Sequence, residues 1–111
     1  MLLNDGSTPD TWFHASVLHL SHSGNADLLI EGSFPMTGAD NNWYWIVLSA
    51  YKNPRIVLFS GCLEVYVLHH RHNGYQDIKT WWGAGNSAFD ITFHFDGKEY
   101  KQWKRKDYPA Q

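Results

Sequence analysis

Three histidines stand in four positions at His69, His70 and His72, followed by Asn73-Gly74, the acid Asp77 and the tryptophans Trp81 and Trp82. Imidazole is the commonest protein ligand for zinc and copper and the natural proton shuttle near neutral pH. Side chains alternate along a strand, so His70 and His72 share one face while His69 and Arg71 take the other. An i, i+2 histidine pair binds Zn or Cu at its edge, and His22 joins it if two sheet units pack about a pseudo-dyad. A stable site needs three or four ligands with supporting hydrogen bonds, and no cysteine or carboxylate is placed by spacing to complete this one. His70 and His72 are therefore weak metal candidates, and the expectation is no metal and no cofactor. The preferred reading makes His69 and His70 half-exposed strand residues and has His72 bond backbone groups in its turn.

Other reactive patterns are missing from the 111 residues. The chain has no G-x-S-x-G elbow, no G-x-x-x-x-G-K phosphate cradle and no H-E-x-x-H pair. Its acids Asp27, Glu31, Asp40, Glu64 and Asp77 are scattered, and spacing sets no two of them at glycosidase separation. The expectation is a protein that is not an enzyme. Cys62 is the single cysteine, which excludes an internal disulfide and a cysteine-based zinc site; its neighbours Leu63 and Val65 mark it as a small buried hydrophobe.

Binding chemistry is better represented. Six Trp, six Tyr and six Phe are a large aromatic share for one small domain. Indole rings serve both as core pieces and as contact platforms. Trp43 and Trp45 fall on one face of their strand. Trp82, beside the Gly83-Ala84-Gly85-Asn86 loop, is the first choice for an exposed ring. The stretch 33–42 is long for a meander and offers Ser33, Thr37, Asp40, Asn41 and Asn42 with the adaptable Met36, the make-up of a recognition loop. Trp82, Trp45, Met36, Asp40, Asn41 and Asn42 are thus the expected binding residues.

Charge narrows the partners. The net charge of −2 provides no global field for nucleic acid or an anionic membrane, although residues 1–64 carry six acids against two bases and residues 65–111 seven bases against five acids. KEYKQWKRK is too short and too terminal for a single-strand nucleic-acid track, and no apolar run approaches the length of a membrane span. The opening MLLND has neither the basic n-region nor the long h-region of a signal peptide, which fits a cytoplasmic protein or an exported one whose leader has been removed.

The elements that position these residues read as strands. Alternation and β-branched or aromatic clusters, broken by Gly, Pro, Asn and Asp every eight to twelve residues, predict a single all-β domain over 1–111 of about eight short antiparallel strands. The strands fall near 12–20, 27–32, 43–51, 55–60, 62–69, 77–82, 88–95 and 98–103, with 1–10 and 104–111 as flexible termini. Ser7-Thr8-Pro9-Asp10 also resembles a helix start, which makes a short helix over 9–16 the alternative to the first strand. Asp96-Gly97 predicts a type I′ hairpin with Phe95 opposite Lys98 and His94 opposite Glu99. Ser60-Gly61 is read as a turn between two strands apolar on both faces and therefore central.

His22-Ser23-Gly24-Asn25-Ala26-Asp27-Leu28 and His72-Asn73-Gly74-Tyr75-Gln76-Asp77-Ile78 share H-x-G-x-x-D-[LI] fifty residues apart, which suggests two duplicated, propeller-blade-like sheet units. Glycine supplies a left-handed bend, and the aspartate accepts backbone N–H groups at the entry to the next strand. These bends are similar to the calcium-type loops of FG-GAP and VCBS propeller repeats, but this loop offers one carboxylate where a hard cation takes six to eight oxygens, which speaks against calcium.

A closer likeness covers residues 17–103. Gly38, Ala39, Asn41 and Trp45, then Asn73 to Ile78, then Phe95 to Tyr100 resemble a group of small bacterial exported proteins without assigned activity, marked by G-A-x-N-x-x-x-W, N-G-Y-x-D-I and a closing F-D-G-x-x-Y hairpin. The resemblance implies fold and a periplasmic or secreted setting, and supplies no catalytic residue. The leading expectation is a non-enzymatic domain that recognises another protein, as an inhibitor or immunity factor does. A carbohydrate-binding module using Trp82 and Trp45 is the alternative, and a small histidine-based metalloprotein the lower one.

Overall fold

The computed structural model describes residues 12–33, 41–50, 52–84 and 87–109. Alternating apolar residues form eight strands, β1(Phe13–Leu18), β2(Asp27–Gly32), β3(Asn42–Leu48), β4(Arg55–Cys62), β5(Glu64–His72), β6(Tyr75–Ala84), β7(Ser87–Phe95) and β8(Tyr100–Tyr108). They make two four-stranded antiparallel meanders, β1-β2-β3-β4 and β5-β6-β7-β8, each in chain order. The all-β expectation holds, including its two sheet units. The helical alternative over 9–16 does not: residues 13–16 pair with β2, because Ala15 and Val17 meet Ile30 and Leu28 across the ladder. Residues 9–11 lie outside the described ones.

The core lies where the inner faces of the sheets meet. Ile46, Leu48 and Val57 of the first sheet pack with Ile78, Phe95 and Tyr100 of the second, and Leu20 completes the cluster. Leu20 belongs to no strand, yet it is fully buried and its backbone joins both halves. Its N–H donates to Asp27 Oδ2 at 3.0 Å, and its carbonyl accepts from Gln76 N at 2.9 Å and Arg71 Nη1 at 2.8 Å.

The turns differ from their expected geometry. Asn73 and Gly74 both have positive φ, 52° and 83°, between the paired residues His72 and Tyr75, so the two-residue hairpin of primed type sits here. At Asp96-Gly97 only the glycine has positive φ. Asp96 Oδ1 instead accepts the N–H groups of Lys98 at 2.8 Å and Glu99 at 2.9 Å, which draws both residues into a longer loop. Phe95 therefore faces Tyr100 and His94 faces Lys101, a slip of two residues that leaves the faces unchanged.

Ser60-Gly61 is not a turn. The strand runs through it, Gly61 opposite Trp43 with the Asn41 side chain over its bare Cα, and the chain changes sheet at Leu63. β4 and β5 are consequently edge strands and not central ones. Residues 104–108 are also no loose tail: they pair with β7, Arg105 lies 3.8 Å over the Phe89 ring, and the Tyr108 hydroxyl donates to Asp90 Oδ2 at 2.7 Å.

Burial pushes the Cys62 thiol from its ordinary value of 9.0 up to about 11 against the opposing hydrogen bonds with Ser60 and the Glu64 backbone. The Tyr100 hydroxyl is raised too, by burial first and then by the nearby Asp27 and Asp77 carboxylates. Both groups hold their protons more tightly folded than unfolded. The Cys62 contribution is complete below pH about 9 and is lost as pH rises towards about 11, and that of Tyr100 begins to be lost only above its ordinary value of 10.0. Urea unfolding midpoints should fall between pH about 8 and about 10.5, and Cys62→Ala should flatten part of that fall. A midpoint constant over this range would contradict the assignment.

Candidate functional site

The cross-strand register sorts the outer face of the second sheet into rows. Tyr66, Lys79, Thr92 and Lys104 form one, and Glu64, Trp81, Asp90 and Lys106 the next. The face is polar, basic and partly aromatic, the opposite of the apolar inner rows built on Ile78 and Phe93.

Two irregularities open a cavity on it. Between the pairs Val67↔Ile78 and Arg71↔Gln76, three residues of β5 stand against one of β6, so β5 bows outward. Gln76 Nε2 donates to the freed carbonyl of Leu68 at 2.9 Å and holds the bow in place. On β8, Trp103 is the extra residue between the pairs Phe93↔Gln102 and Thr92↔Lys104. The result is a cavity of about 370 Å³ lined by Leu68, His70, His72, Asp77, Lys79, Thr92, Trp103 and Lys104. A second hollow of about 400 Å³ adjoins it through Leu68 and Lys79.

At the cavity's inner end the tight Asn73-Gly74 hairpin folds His72 back onto Asp77. His72 Nδ1 lies 2.8 Å from Asp77 Oδ1 and 3.1 Å from Oδ2. Asp77 is 2% exposed. His94, one step along β7 from the Ile78↔Phe93 pair, points Nε2 at the same carboxylate from 3.5 Å. That nitrogen is buried and makes no hydrogen bond. The His72 and His94 rings stack 3.6 Å apart at 12°, and Trp103 covers the other side of His94 at 4.2 Å. A buried carboxylate is thus shared by two parallel imidazoles, one wedged by an indole and the other, 45% exposed, facing the cavity.

The expected binding residues are not brought together. Trp45 lies on the outer face of the first sheet, in a ring cluster with Phe13 at 5.7 Å, Trp43 at 6.4 Å and Phe59 at 5.3 Å. Trp82 is half-buried, stacked on Phe89 at 5.5 Å with its Nε1 donating to Thr80 Oγ1, which corrects its choice as the exposed ring. Asn41 and Asn42 are half-buried, Asn41 just before β3 and Asn42 at its first position. Met36 and Asp40 lie outside the described residues, as do Gly38 and Ala39.

Of the histidine candidates, His70 and His72 do line one cavity, but His72 bonds a carboxylate and not the backbone of its turn. Spacing alone missed His94 and Trp103. The signal for His94 was its strand: a residue on the polar face of β7 becomes the neighbour of Asp77 once β6 and β7 are paired in register. His22 takes no part; it is exposed, and the carboxylate of its own bend, Asp27, is engaged by backbone. Asp27 accepts from Leu20 N and from Ser49 N, both at 3.0 Å. The expected role of aspartate at these bends holds at Asp27 and is replaced at Asp77 by side-chain partners. Comparison with known proteins finds no matching family model, no matching curated protein and no matching solved structure.

Asp27→Ala should leave the buried Leu20 N–H and the part-buried Ser49 N–H without their acceptor and destabilise the fold by about 3 kcal/mol, whereas Asp27→Asn, which keeps one acceptor, should cost roughly half of that. Urea denaturation of both variants measures the pair. Equal, small losses would show that the carboxylate does not hold the bend.

Proposed function

We propose that the chain is a non-enzymatic recognition domain that binds another protein, outside the cytoplasm, through the outer face of its first sheet. The observation that supports this most is the composition of that face. Its cross-strand rows are Val17, Leu28, Val47 and Ile56, then Ala15, Ile30, Trp45 and Phe59, then Phe13 with Gly32 and Trp43 with Gly61. No residue in these rows is charged. A bulge at Val57 turns both Ile56 and Phe59 outward, where they stay 46% and 55% exposed, and Val17 is 55% exposed on β1 at the opposite edge of the sheet.

Burying such a surface against a partner is favourable at roughly 25 cal/mol per Å² of apolar area. The centre of the face, Leu28, Ile30 and Val47, is already covered by Phe13 and Trp45, so the apolar area left for a partner centres on Ile56 and Phe59 of β4. Large apolar side chains left exposed together mark binding surfaces, and aromatic side chains are the commonest anchors of protein interfaces. The ring geometry favours a protein over a glycan. Trp43 and Trp45 meet edge-on at 90° and Trp43 and Phe59 at 69°, which builds a knobbed surface and not the flat platform that sugar rings stack on. The buried Cys62, its thiol pushed up to about 11, is a poor nucleophile and agrees with a role without catalysis. The likeness of residues 17–103 to small exported bacterial proteins supports the extracytoplasmic setting and, with it, an inhibitor or immunity-like role.

The test is cross-linking capture from the secreted and periplasmic fractions with the unaltered protein and with the double variant Ile56→Asp, Phe59→Asp. A specific partner should be recovered by the first and lost by the second, with a fall in affinity of at least about thirtyfold, as removal of an interface anchor produces. Both side chains are half out in solvent, so the thermal midpoint should hardly move. Undiminished capture by the variant would refute the assigned surface, and saturable quenching of tryptophan fluorescence by a glycan would favour the carbohydrate reading instead.

A further inference from the structure

We infer that the stacked histidines of the second sheet are a binding site for a borderline divalent transition-metal ion, with zinc the cation that fits best. The ligands are His72 Nδ1, His94 Nε2 and the Asp77 carboxylate, whose donor atoms all lie within 4.8 Å of one another.

Distances carry the argument. An ion with nitrogen and oxygen ligands at roughly 2.0–2.1 Å in a tetrahedron sets neighbouring donors roughly 3.3 Å apart. The separations here are 2.8 and 3.1 Å from His72 to the two carboxylate oxygens and 3.5 Å from His94 to Asp77. They bracket that edge with no ion needed to explain the fold.

A plain His–Asp hydrogen bond accounts for His72 and leaves His94 unexplained. Its buried Nε2 points at a carboxylate and makes no hydrogen bond, an arrangement that is costly unless something completes it. A cation between the three groups satisfies that nitrogen and compensates the buried negative charge.

Access is distributed as a metal site requires. His94 lies between the rings of His72 and Trp103, while the 45% exposed His72 side chain leaves the nitrogen edges open to an ion from solvent. The fourth position opens on the cavity, where His70 stands. Two imidazoles and one carboxylate suit zinc, copper or nickel, whereas magnesium and calcium take oxygen-rich shells.

The experiment is titration of the full chain, purified without a histidine tag, with Zn²⁺ against a competing chelator and with Co²⁺ followed by its visible absorption. A single equivalent should bind, and Co²⁺ should develop the intense bands of four- or five-coordination. His72→Ala and His94→Ala should each weaken binding by at least about a hundredfold, since even residues that only orient metal ligands cost ten- to a hundredfold. His69→Ala, on the opposite face of β5, should change nothing. Because His94 is wedged in the sheet, the exposed His72 variant decides the matter if the other loses its fold. Absence of stoichiometric binding by the folded protein would overturn the site, as would an affinity unchanged in the His72 variant.

Discussion

The fold turns on the backbone of Leu20. Two four-stranded meanders in succession have no ladder in common, so something other than sheet hydrogen bonding must fix one against the other. Leu20 does this with all of its groups: the side chain fills the shared core, the N–H binds the Asp27 carboxylate, and the carbonyl receives Gln76 N and the Arg71 guanidinium. A bridge from Ser21 to Tyr75 continues the seam by one residue. Arg71 also reaches towards Gly74 O at 3.5 Å, so the same contact that joins the sheets braces the hairpin from which His72 projects. The geometry of the histidine cluster is therefore coupled to the packing of the sheets.

The second constraint is the need to satisfy buried carboxylates. Asp27 and Asp77 occupy like places after bends whose glycines both have φ of 83°, and each is 2% exposed. A buried acid without partners is strongly unfavourable, and the two bends meet the demand differently. At Asp27 the backbone supplies the donors, and one of them, Ser49 N, belongs to a residue held at φ 51°, a conformation that the carboxylate helps to support. At Asp77 the hydrogen-bond partner is the His72 imidazole, with His94 pointing at the same carboxylate. Backbone donors cannot change protonation or exchange for a ligand, whereas imidazoles do both. The first bend is thereby purely structural, and the second keeps chemical freedom.

Much of this is legible in the amino-acid sequence. Alternation together with β-branched and aromatic runs located the eight strands, because strand patterning is a local property. The H-x-G-x-x-D spacing marked both bends, and a buried Cys62 followed from its apolar neighbours. What failed was non-local or smaller than the period of the pattern. Asn73-Gly74 and Asp96-Gly97 are equally good primed-turn dipeptides; the choice fell to the Asp96 carboxylate, which captures two N–H groups downstream and lengthens its loop. The bulges that bow β5 and expose Trp103 insert residues of ordinary strand type and leave no compositional trace. Ser60-Gly61 reads as a turn because both residues favour turns, yet its glycine serves the close approach of Asn41 across the ladder. The pairing of Asp77 with His94 needs the β6–β7 register, which spacing within one strand does not contain.

The two outer faces then differ for a reason that follows from the strands themselves. On the first sheet, β2 and β3 are flanked by strands whose outward residues are also apolar, so that Leu28, Ile30 and Val47 are buried beneath Phe13 and Trp45 as a second small core. On the second sheet, the corresponding layer is occupied by Lys79, Asp90, Thr92 and the lysines of β8, with Asp77 bonded to His72 and Asp90 4.0 Å from Lys79 Nζ. A face that buries an acid must supply its donors from within the same layer, and those donors bring polarity, hydration and a cavity. An apolar layer makes no such demand and is free to close against another surface. The contrast between an apolar and a polar outer face on one small domain is thus a consequence of where the carboxylates lie.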